Sequence, residues 1–333
     1  MKQICFVLSL SCMLFIFISA TPQTSSEYLT HTVVKGESIS LICIDYYGRY
    51  SPAMGLALQK LNPSLKDINV IVAGQQLTFK SPRSPALAQP SNPTTAVSAD
   101  TVFSQNVAAI QGVVTCVVGN VALRKAGQKL TEKLVVNSIV YPGDNIRTAA
   151  NGRAELIINR EAVVRLKENT VLTIQAFRDD SRQQTKTTIN TAIGSLWTKM
   201  RKFSDKISRF EIETPTAVAG VHGTVYQTTV SKDSSAEVKV YTGEVSVANN
   251  PSFAGGSNAT DLTEVSGPQE VEGPQEVSME EWTQIIRDMQ RIKIGKNGKP
   301  QAVESFTKNS KDSWEQWNEE RDKRIAQLFT EQK

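Results

Sequence analysis

The stretch HTVVKGESISLICIDYYGRYSPAMGLALQKLNPSLKDINVIVAGQQLTFK, from His31 to Lys80, predicts a small module in which two helices lie between two strands. Thr32 to Val34 is predicted as the first strand, and Gly36 supplies the turn after it. Ser38 is a favoured N-cap residue, so a helix is expected to begin there. The apolar positions of this helix recur at helical spacing and predict its buried face: Ile39, Ile42, Cys43 and Tyr46.

The second half of the module has its own boundary signals. Gly48 ends the first helix, and Ser51-Pro52 opens the second with a cap followed by proline in the first turn. The second helix closes before Asn62-Pro63. Ala73-Gly74 then turns into the last strand, Gln76 to Phe79, which completes the order strand, helix, helix, strand.

This module resembles a lysin motif (LysM). The matching motifs are V-K-G-E-S (Val34 to Ser38), Y-Y-G (Tyr46 to Gly48), L-N-P (Leu61 to Pro63) and G-Q-Q-L (Gly74 to Leu77). The resemblance implies binding of peptidoglycan, or another N-acetylglucosamine-containing glycan, in a shallow groove. Carried over, one wall is Gly36, Glu37, Ser38 and Ile39, and the other is Ile71, Val72, Ala73 and Gly74. Glu37 stands where the family usually has Asp and Ala73 where it usually has Pro, so a module that keeps the fold without binding glycan is the alternative.

The first twenty residues are typical of a secretory signal peptide. Lys2 gives a charged start, Ile4 to Ile18 is almost wholly apolar, and Ile18-Ser19-Ala20 ends in small residues. The apolar run is shorter than the roughly 18 to 20 residues that span a bilayer. We therefore expect cleavage after Ala20, export to the periplasm or cell envelope, and no membrane span afterwards; an uncleaved anchor is the alternative.

Composition excludes few classes of protein. The chain has 333 residues, 40% hydrophobic and 21% charged, which is enough globular material for two domains. Its net charge of +4 is spread along the chain, so no nucleic-acid partner is predicted. After signal cleavage two cysteines remain, Cys43 and Cys116, and their apolar positions favour two buried thiols over a disulfide.

A region rich in short alternating strands follows a low-complexity linker. The linker, from Ser81 to about Ala99, has four prolines among polar residues and cannot form a core. From Val107 to Asn249 the period-2 pattern predicts an antiparallel all-β sandwich or roll. The predicted strands are 112–118, 154–159, 163–166, 170–177, 209–214, 224–230, 236–242 and 244–249.

This second region resembles the FecR-type domain, the periplasmic domain of ferric-citrate-type regulators that also occurs in stand-alone exported proteins. The matching segments are 112–114, VYPGDNIRT (140–148), GRAEL (152–156), TPTAVAGVHGT (214–224) and VYTGEV (240–245). Gly143-Asp144 and Asn151-Gly152 are expected to supply turns with positive φ, and Gly220 and Gly223 to let two backbones approach. His222 stands where the family usually has Arg, so a pH-sensing histidine is an alternative to a plain turn residue.

The remainder predicts a loop and two helices. One helix is expected from Ser278 to about Lys293, with Trp282, Ile285, Ile286 and Met289 on one face. The other is expected from about Asp312 to Phe329, with its face packed back on the β domain: Trp314, Trp317, Arg321, Ile325 and Leu328. The predicted division is signal peptide (1–20), LysM (28–80), linker (81–106), FecR-type domain (107–250), loop (251–278) and helical tail (279–333).

These observations predict a non-enzymatic protein. The histidines, His31 and His222, do not cluster with cysteine or carboxylate at metal-ligand spacing, so no catalytic residue, metal or cofactor is predicted. The predicted function is peptidoglycan binding through LysM, with the FecR-type domain contacting an unknown envelope protein. A sensor or regulatory component of envelope signalling is the alternative. A wall hydrolase is a third class, supported by no motif.

Overall fold

The computed structural model describes residues 27–82, 112–159, 161–179, 185–201, 209–221, 223–252, 282–309 and 311–326. Over these residues the chain is mostly strand, with three helices. The predicted signal peptide, most of the linker, His222 and the 251–278 loop beyond Ser252 lie outside the described residues. Within the described residues, no helix is long and apolar enough to cross a membrane.

The N-terminal module has the predicted order of elements, but its first strand lies earlier in the chain than the predicted Thr32 to Val34 and shares only Thr32 with it. The elements are β1 (Tyr28–Thr32), α1 (Ile39–Tyr47), α2 (Pro52–Leu61) and β2 (Gln76–Lys80). β1 and β2 pair antiparallel. Both predicted N-caps form, because Ser38 accepts a hydrogen bond from Leu41 N at 3.2 Å and Ser51 from Met54 N at 3.3 Å. Gly48 ends α1 with φ of 74°, in the left-handed region that favours glycine.

The rest of the described chain forms one curled sheet. Its first strands are β3 (Gly112–Val118), β4 (Val121–Arg124), β5 (Glu132–Lys133), β6 (Ile139–Val140), β7 (Asn145–Thr148), β8 (Arg153–Ile158), β9 (Ala162–Leu166) and β10 (Val171–Asp179). The later strands are β11 (Thr185–Met200), β12 (Arg209–Glu213), β13 (Ala217–Val221), β14 (Val225–Val230), β15 (Ala236–Thr242), β16 (Val245–Asn249), β17 (Thr283–Ile286), β18 (Gln290–Ile294) and β19 (Glu304–Ser305). All eight strands predicted from the alternating pattern are present.

The long strand β11 joins the two halves of the sheet. One half has the order β6-β3-β8-β9-β11-β14-β15-β18-β19, and the other β5-β4-β7-β10-β11-β12-β13-β16-β17. β11 changes partners at Gly194, whose φ is 100°. A Cβ there would lie 2.4 Å from Thr170 Cα, so only glycine permits this close approach. The inward-facing residues of both halves form one apolar core.

The first predicted tail helix is wrong over the part that the structure describes. Residues 283–286 and 290–294 are strands β17 and β18, and Met289 between them has φ of 57°. Ile286 and Ile292 are fully buried in the sheet core, whereas Ile285 is 41% exposed. Pairing with β16 and β15 therefore overrides the helical spacing of the apolar residues.

The second tail helix is confirmed as α3 (Ser313–Arg324), with Asp312 as N-cap. Trp314, Arg321 and Ile325 are buried, at 5% exposure or less. The helix therefore packs back on the body of the protein, as its apolar face predicts. Leu328 lies outside the described residues.

The expected roles of two glycines are corrected by the geometry. A Cβ on Gly220 would meet only Ser246 O, at an ordinary 3.9 Å, so this residue does not mark a close backbone approach. Gly152 does not have positive φ, but a Cβ on it would lie 2.2 Å from Asn120 O. Gly143 and Gly223 have φ of 87° and 71°.

Candidate functional site

The first predicted groove wall, Gly36 to Ile39, runs from the turn after β1 into the first residue of α1. Gly36 is exposed and Glu37 is half-buried, whereas the second half of the wall is buried. Ser38 is 4% exposed and Ile39 is 1% exposed. Ile39 belongs to an apolar cluster that also includes Val113 and Val163 of the curled sheet. The sheet therefore packs against the module beside the buried half of this wall.

The second predicted wall is open. Val72 is 62% exposed, Ala73 and Gly74 are exposed, and Ile71 is half-buried. Gly74 has φ of 87° and its N–H donates to Val33 O at 2.8 Å. Since Val33 follows β1 and leads into the first wall, this bond brings the two predicted walls to the same end of the module.

An asparagine from the sheet bridges the two sides of the module. Asn137, between β5 and β6, accepts a hydrogen bond at Oδ1 from Ser40 N at 2.8 Å. Its Nδ2 donates to Ile68 O at 2.8 Å and to Asn69 Oδ1 at 3.1 Å. Ser40 lies in the first turn of α1, just after the first wall, and the 68–69 loop precedes the second wall.

The third contact with the module comes from α3. Arg321 Nη1 donates to the carbonyl oxygen of Gly36, within the first wall. The same guanidinium pairs with the carboxylate of Glu155 on β8. Module, sheet and helix therefore meet around one arginine.

Glu155 is the centre of a buried ion cluster. It is fully buried, it accepts from Arg165 Nε at 2.7 Å and from Arg321 Nε at 3.0 Å, and Thr115 Oγ1 donates to it at 2.7 Å. Arg165 Nη1 also lies 2.7 Å from Asp322 Oδ1 on α3. Burial acts to raise the pKa of Glu155, but attraction to Arg321 and Arg165 outweighs it and lowers this pKa to about 2 from the ordinary 4.5.

The comparison with known families assigns the central part of the sheet. Residues 144–246 match the FecR protein family. The resemblance found in the sequence is confirmed over these residues, which we call the FecR domain. No curated protein matches the chain.

Two solved structures also resemble the chain. Both are described as "a putative anti-sigma factor from Parabacteroides distasonis", and each is 15% identical to this chain. The match to the first structure has a TM-score of 0.37 and covers 52% of this chain and 64% of that structure's chain. The match to the second has a TM-score of 0.34 and covers 48% of this chain and 59% of that structure's chain. The chain thus spans less than two thirds of either structure's length.

The motifs of the FecR domain place two carboxylates inside the protein. Asp144, from the VYPGDNIRT segment, is 2% exposed and accepts from Ala126 N at 3.0 Å and Tyr141 N at 3.1 Å. Lys125 Nζ lies 3.0 Å from Asp144 Oδ2, the oxygen that also accepts from Tyr141 N. Asp144 therefore fixes the turn before β7. Glu155, from the GRAEL segment, anchors α3 as described above.

A cleft of about 350 Å³ lies between the module and α3. Within this cleft, the His31 side chain links the loop after β1 to α1. Its Nε2 lies 2.9 Å from Glu37 Oε2 in the loop, and its Nδ1 lies 2.7 Å from Tyr46 Oη on α1. Glu37 Oε2 also accepts from Val34 N at 2.7 Å, so this predicted wall residue holds its own loop. The residues that line the cleft are His31, Val34, Glu37, Leu41, Ile42, Asp45, Glu320, Lys323 and Arg324.

Nucleophile and metal chemistry have little support among the described residues. Cys43 and Cys116 are both free thiols; Cys43 is fully buried, as expected, whereas Cys116 is only half-buried. Burial raises the pKa of both thiols, so neither is an activated thiolate. The described residues include no group of three His, Cys, Asp or Glu side chains that could hold a metal ion.

Sequence reasoning predicted two walls but did not predict the residues that contact the module at or beside them from elsewhere in the chain. Asn137 and Arg321 are 97 and 285 positions away from Ser40 and Gly36. No local pattern signals such pairings. The only available sign at Arg321 was its place on the apolar face of the predicted helix.

Proposed function

We propose that the protein is a non-enzymatic regulatory component of the bacterial cell envelope. The match of residues 144–246 to the FecR protein family supports this proposal, because FecR-type domains form the periplasmic part of ferric-citrate-type regulators. The signal-like N-terminus supports export. The FecR domain would contact a protein partner in the envelope, and the N-terminal module would be attached to it as an input domain.

A shallow hollow on the sheet offers a surface for such a partner. It lies along β4, β5 and β7, has a volume of about 440 Å³, and is lined by Asn120, Val121, Ala122, Thr131, Glu132, Lys133, Arg147, Thr148 and Ala149. Arg147 and Thr148 belong to the VYPGDNIRT segment. Exposed Arg147 can be changed without disturbing the core.

Transcript profiling tests the regulatory role. A strain lacking the gene is compared with strains restored by the wild type, by Arg147→Glu, and by a matched charge reversal on a distant turn, Lys232→Glu. We expect a defined set of transcripts to change on deletion and to return with the wild type and Lys232→Glu, but not with Arg147→Glu. Unchanged transcripts after deletion, under both normal growth and wall stress, would contradict the proposal.

Binding of peptidoglycan by the module is the second candidate function. The observation that favours it is the combination of four lysin-motif segments with an exposed second wall. One such module would bind at about mM to μM, and a polymer with many sites would raise the effective affinity.

Co-sedimentation with purified sacculi tests this second candidate. The test variant is Val72→Asp, on the second wall, and the control is Leu56→Asp, an equally exposed apolar residue of α2. We expect the wild type and Leu56→Asp to sediment and Val72→Asp to stay in solution. If none of the three proteins sediments, the proposal that the module binds glycan is wrong. The regulatory proposal does not depend on this result.

A further inference from the structure

The Asn137 side chain has the chemistry of an acetamide. Its CH2–CO–NH2 group presents one carbonyl acceptor and N–H donors. The module binds the acceptor with Ser40 N and the donors with Ile68 O and Asn69 Oδ1. The module therefore already binds an amide between α1 and the 68–69 loop, and the sheet supplies that amide here.

The backbone around Asn137 is shaped to present that amide. Asn137 has φ of 67°, a left-handed conformation that asparagine tolerates better than most residues. Its own N–H donates to Val114 O at 2.8 Å, and Val114 N donates to Ser138 O at 2.9 Å, so the loop is tied to β3. Asn137 is 5% exposed, and bulk water has little access to these bonds.

The groups of the module that bind Asn137 have few other hydrogen-bond partners available to them. The N–H of Ser40 lies in the first turn of α1, where no carbonyl group of the helix is placed to accept its hydrogen bond. Leaving it unpaired in a buried contact costs free energy, so the docked arrangement depends on the amide. The acetamido group of a sugar offers the same acceptor and a single N–H donor, so it could bind Ser40 N and one of the two acceptors, but only after Asn137 leaves.

We propose that Asn137 is an intramolecular plug, and that docking of the module on the sheet and binding of an acetamido sugar exclude each other. The inference rests on the second candidate function, glycan binding by the module. Binding of glycan in place of the Asn137 amide would free the 135–138 loop and the first turn of α1. The Gly36 carbonyl would also lose Arg321, which couples the module to α3.

Asn137→Gly tests the plug with little risk to folding. Glycine accepts the positive φ and keeps the backbone N–H to Val114, so only the carboxamide is lost. Asn169→Gly is the matched control, because Asn169 is also left-handed, with φ of 58°, and is exposed on the sheet. Binding of the tetramer of N-acetylglucosamine to the mature full chain is measured by calorimetry, with the tetramer of glucosamine as the probe without acetyl groups.

We expect Asn137→Gly to bind the acetylated tetramer roughly tenfold more tightly than the wild type, because two to three hydrogen bonds no longer compete. Asn169→Gly should bind like the wild type, and the glucosamine tetramer should bind to none of them. In the wild type, the acetylated tetramer should also speed hydrogen exchange in residues 135–138. Equal affinity in all three proteins overturns the plug while leaving glycan binding intact. Absence of binding in all three proteins overturns both the plug and glycan binding by the module. The regulatory proposal is tested separately, by transcript profiling.

Discussion

The buried cluster around Glu155 allows a quantitative prediction of how α3 is held. Glu155→Gln removes the negative charge between Arg165 and Arg321 while keeping the shape of the side chain. Arg165 retains Asp322 at 2.7 Å, but Arg321, 5% exposed, retains only the Gly36 carbonyl among the contacts described above. Removing one partner of a buried pair costs about 3 to 5 kcal/mol. Because Asp322 still compensates Arg165, we expect a loss near 3 kcal/mol.

Urea unfolding of the mature chain measures this loss. Tryptophan fluorescence is a suitable signal, since Trp314 is 1% exposed and stacks on Trp317 of the same helix. With a denaturant slope of about 1 to 3 kcal/mol per M, the midpoint should fall by about 1 to 3 M. The control is Glu319→Gln, which breaks a half-exposed pair with Lys308 and should cost about 1 kcal/mol or less. A Glu155→Gln protein as stable as the control would refute the reasoning.

Three further predictions follow from the same geometry. The folded-state pKa of Glu155 is lowered to about 2, so its stabilising contribution is complete above the ordinary value of 4.5 and is lost as pH falls from there toward 2. When unfolding is measured at a series of acid pH values, the free energy of unfolding should therefore fall more steeply in the wild type than in Glu155→Gln. Gly152→Ala should destabilise by about 1 to 3 kcal/mol, because its Cβ would lie 2.2 Å from Asn120 O, whereas Gly220→Ala should change thermal stability little. Cys43, fully buried, should react with a thiol reagent only as fast as the chain opens, which stopped-flow labelling with and without urea would measure.

The local structure of the module could be predicted because its signals lie within a few residues of the elements they define. Ser38 and Ser51 cap helices through bonds that span three residues, and Gly48 ends α1 through its own φ. The alternating strands were predicted for the same reason. Side chains that face the core at every second position leave a period-2 pattern in the sequence.

The errors occurred where distant pairing decides the structure. Residues 283–294 have apolar spacing that suits a helix, but β15 and β16 pair with them and make them strands. The sixteen-residue β11 was missed because it exchanges partners at Gly194 and is buried on both sides along much of its length, so it lacks a simple alternation. In both cases tertiary contacts override the local pattern.

The site was only partly predictable for the same reason. The resemblance to a lysin motif gave the two walls, and the structure places them at one end of the module. The resemblance could not show that the sheet packs against this end of the module, because Asn137, which bonds Ser40, and Val113, which shares an apolar cluster with Ile39, lie far away in sequence. A predicted binding surface can therefore be occupied by the chain that contains it.

The amide proton of Ser40 reports directly on whether the module is docked on the sheet. In a free module this N–H, in the first turn of α1, has no partner within the helix and exchanges quickly with solvent. Residue-resolved hydrogen exchange by NMR should find it protected in the wild type and exposed in Asn137→Gly, while Ile42 N, bonded to Ser38 O at 3.0 Å, stays protected in both. Rapid exchange of Ser40 N–H in the wild type would show that the module is not docked as described.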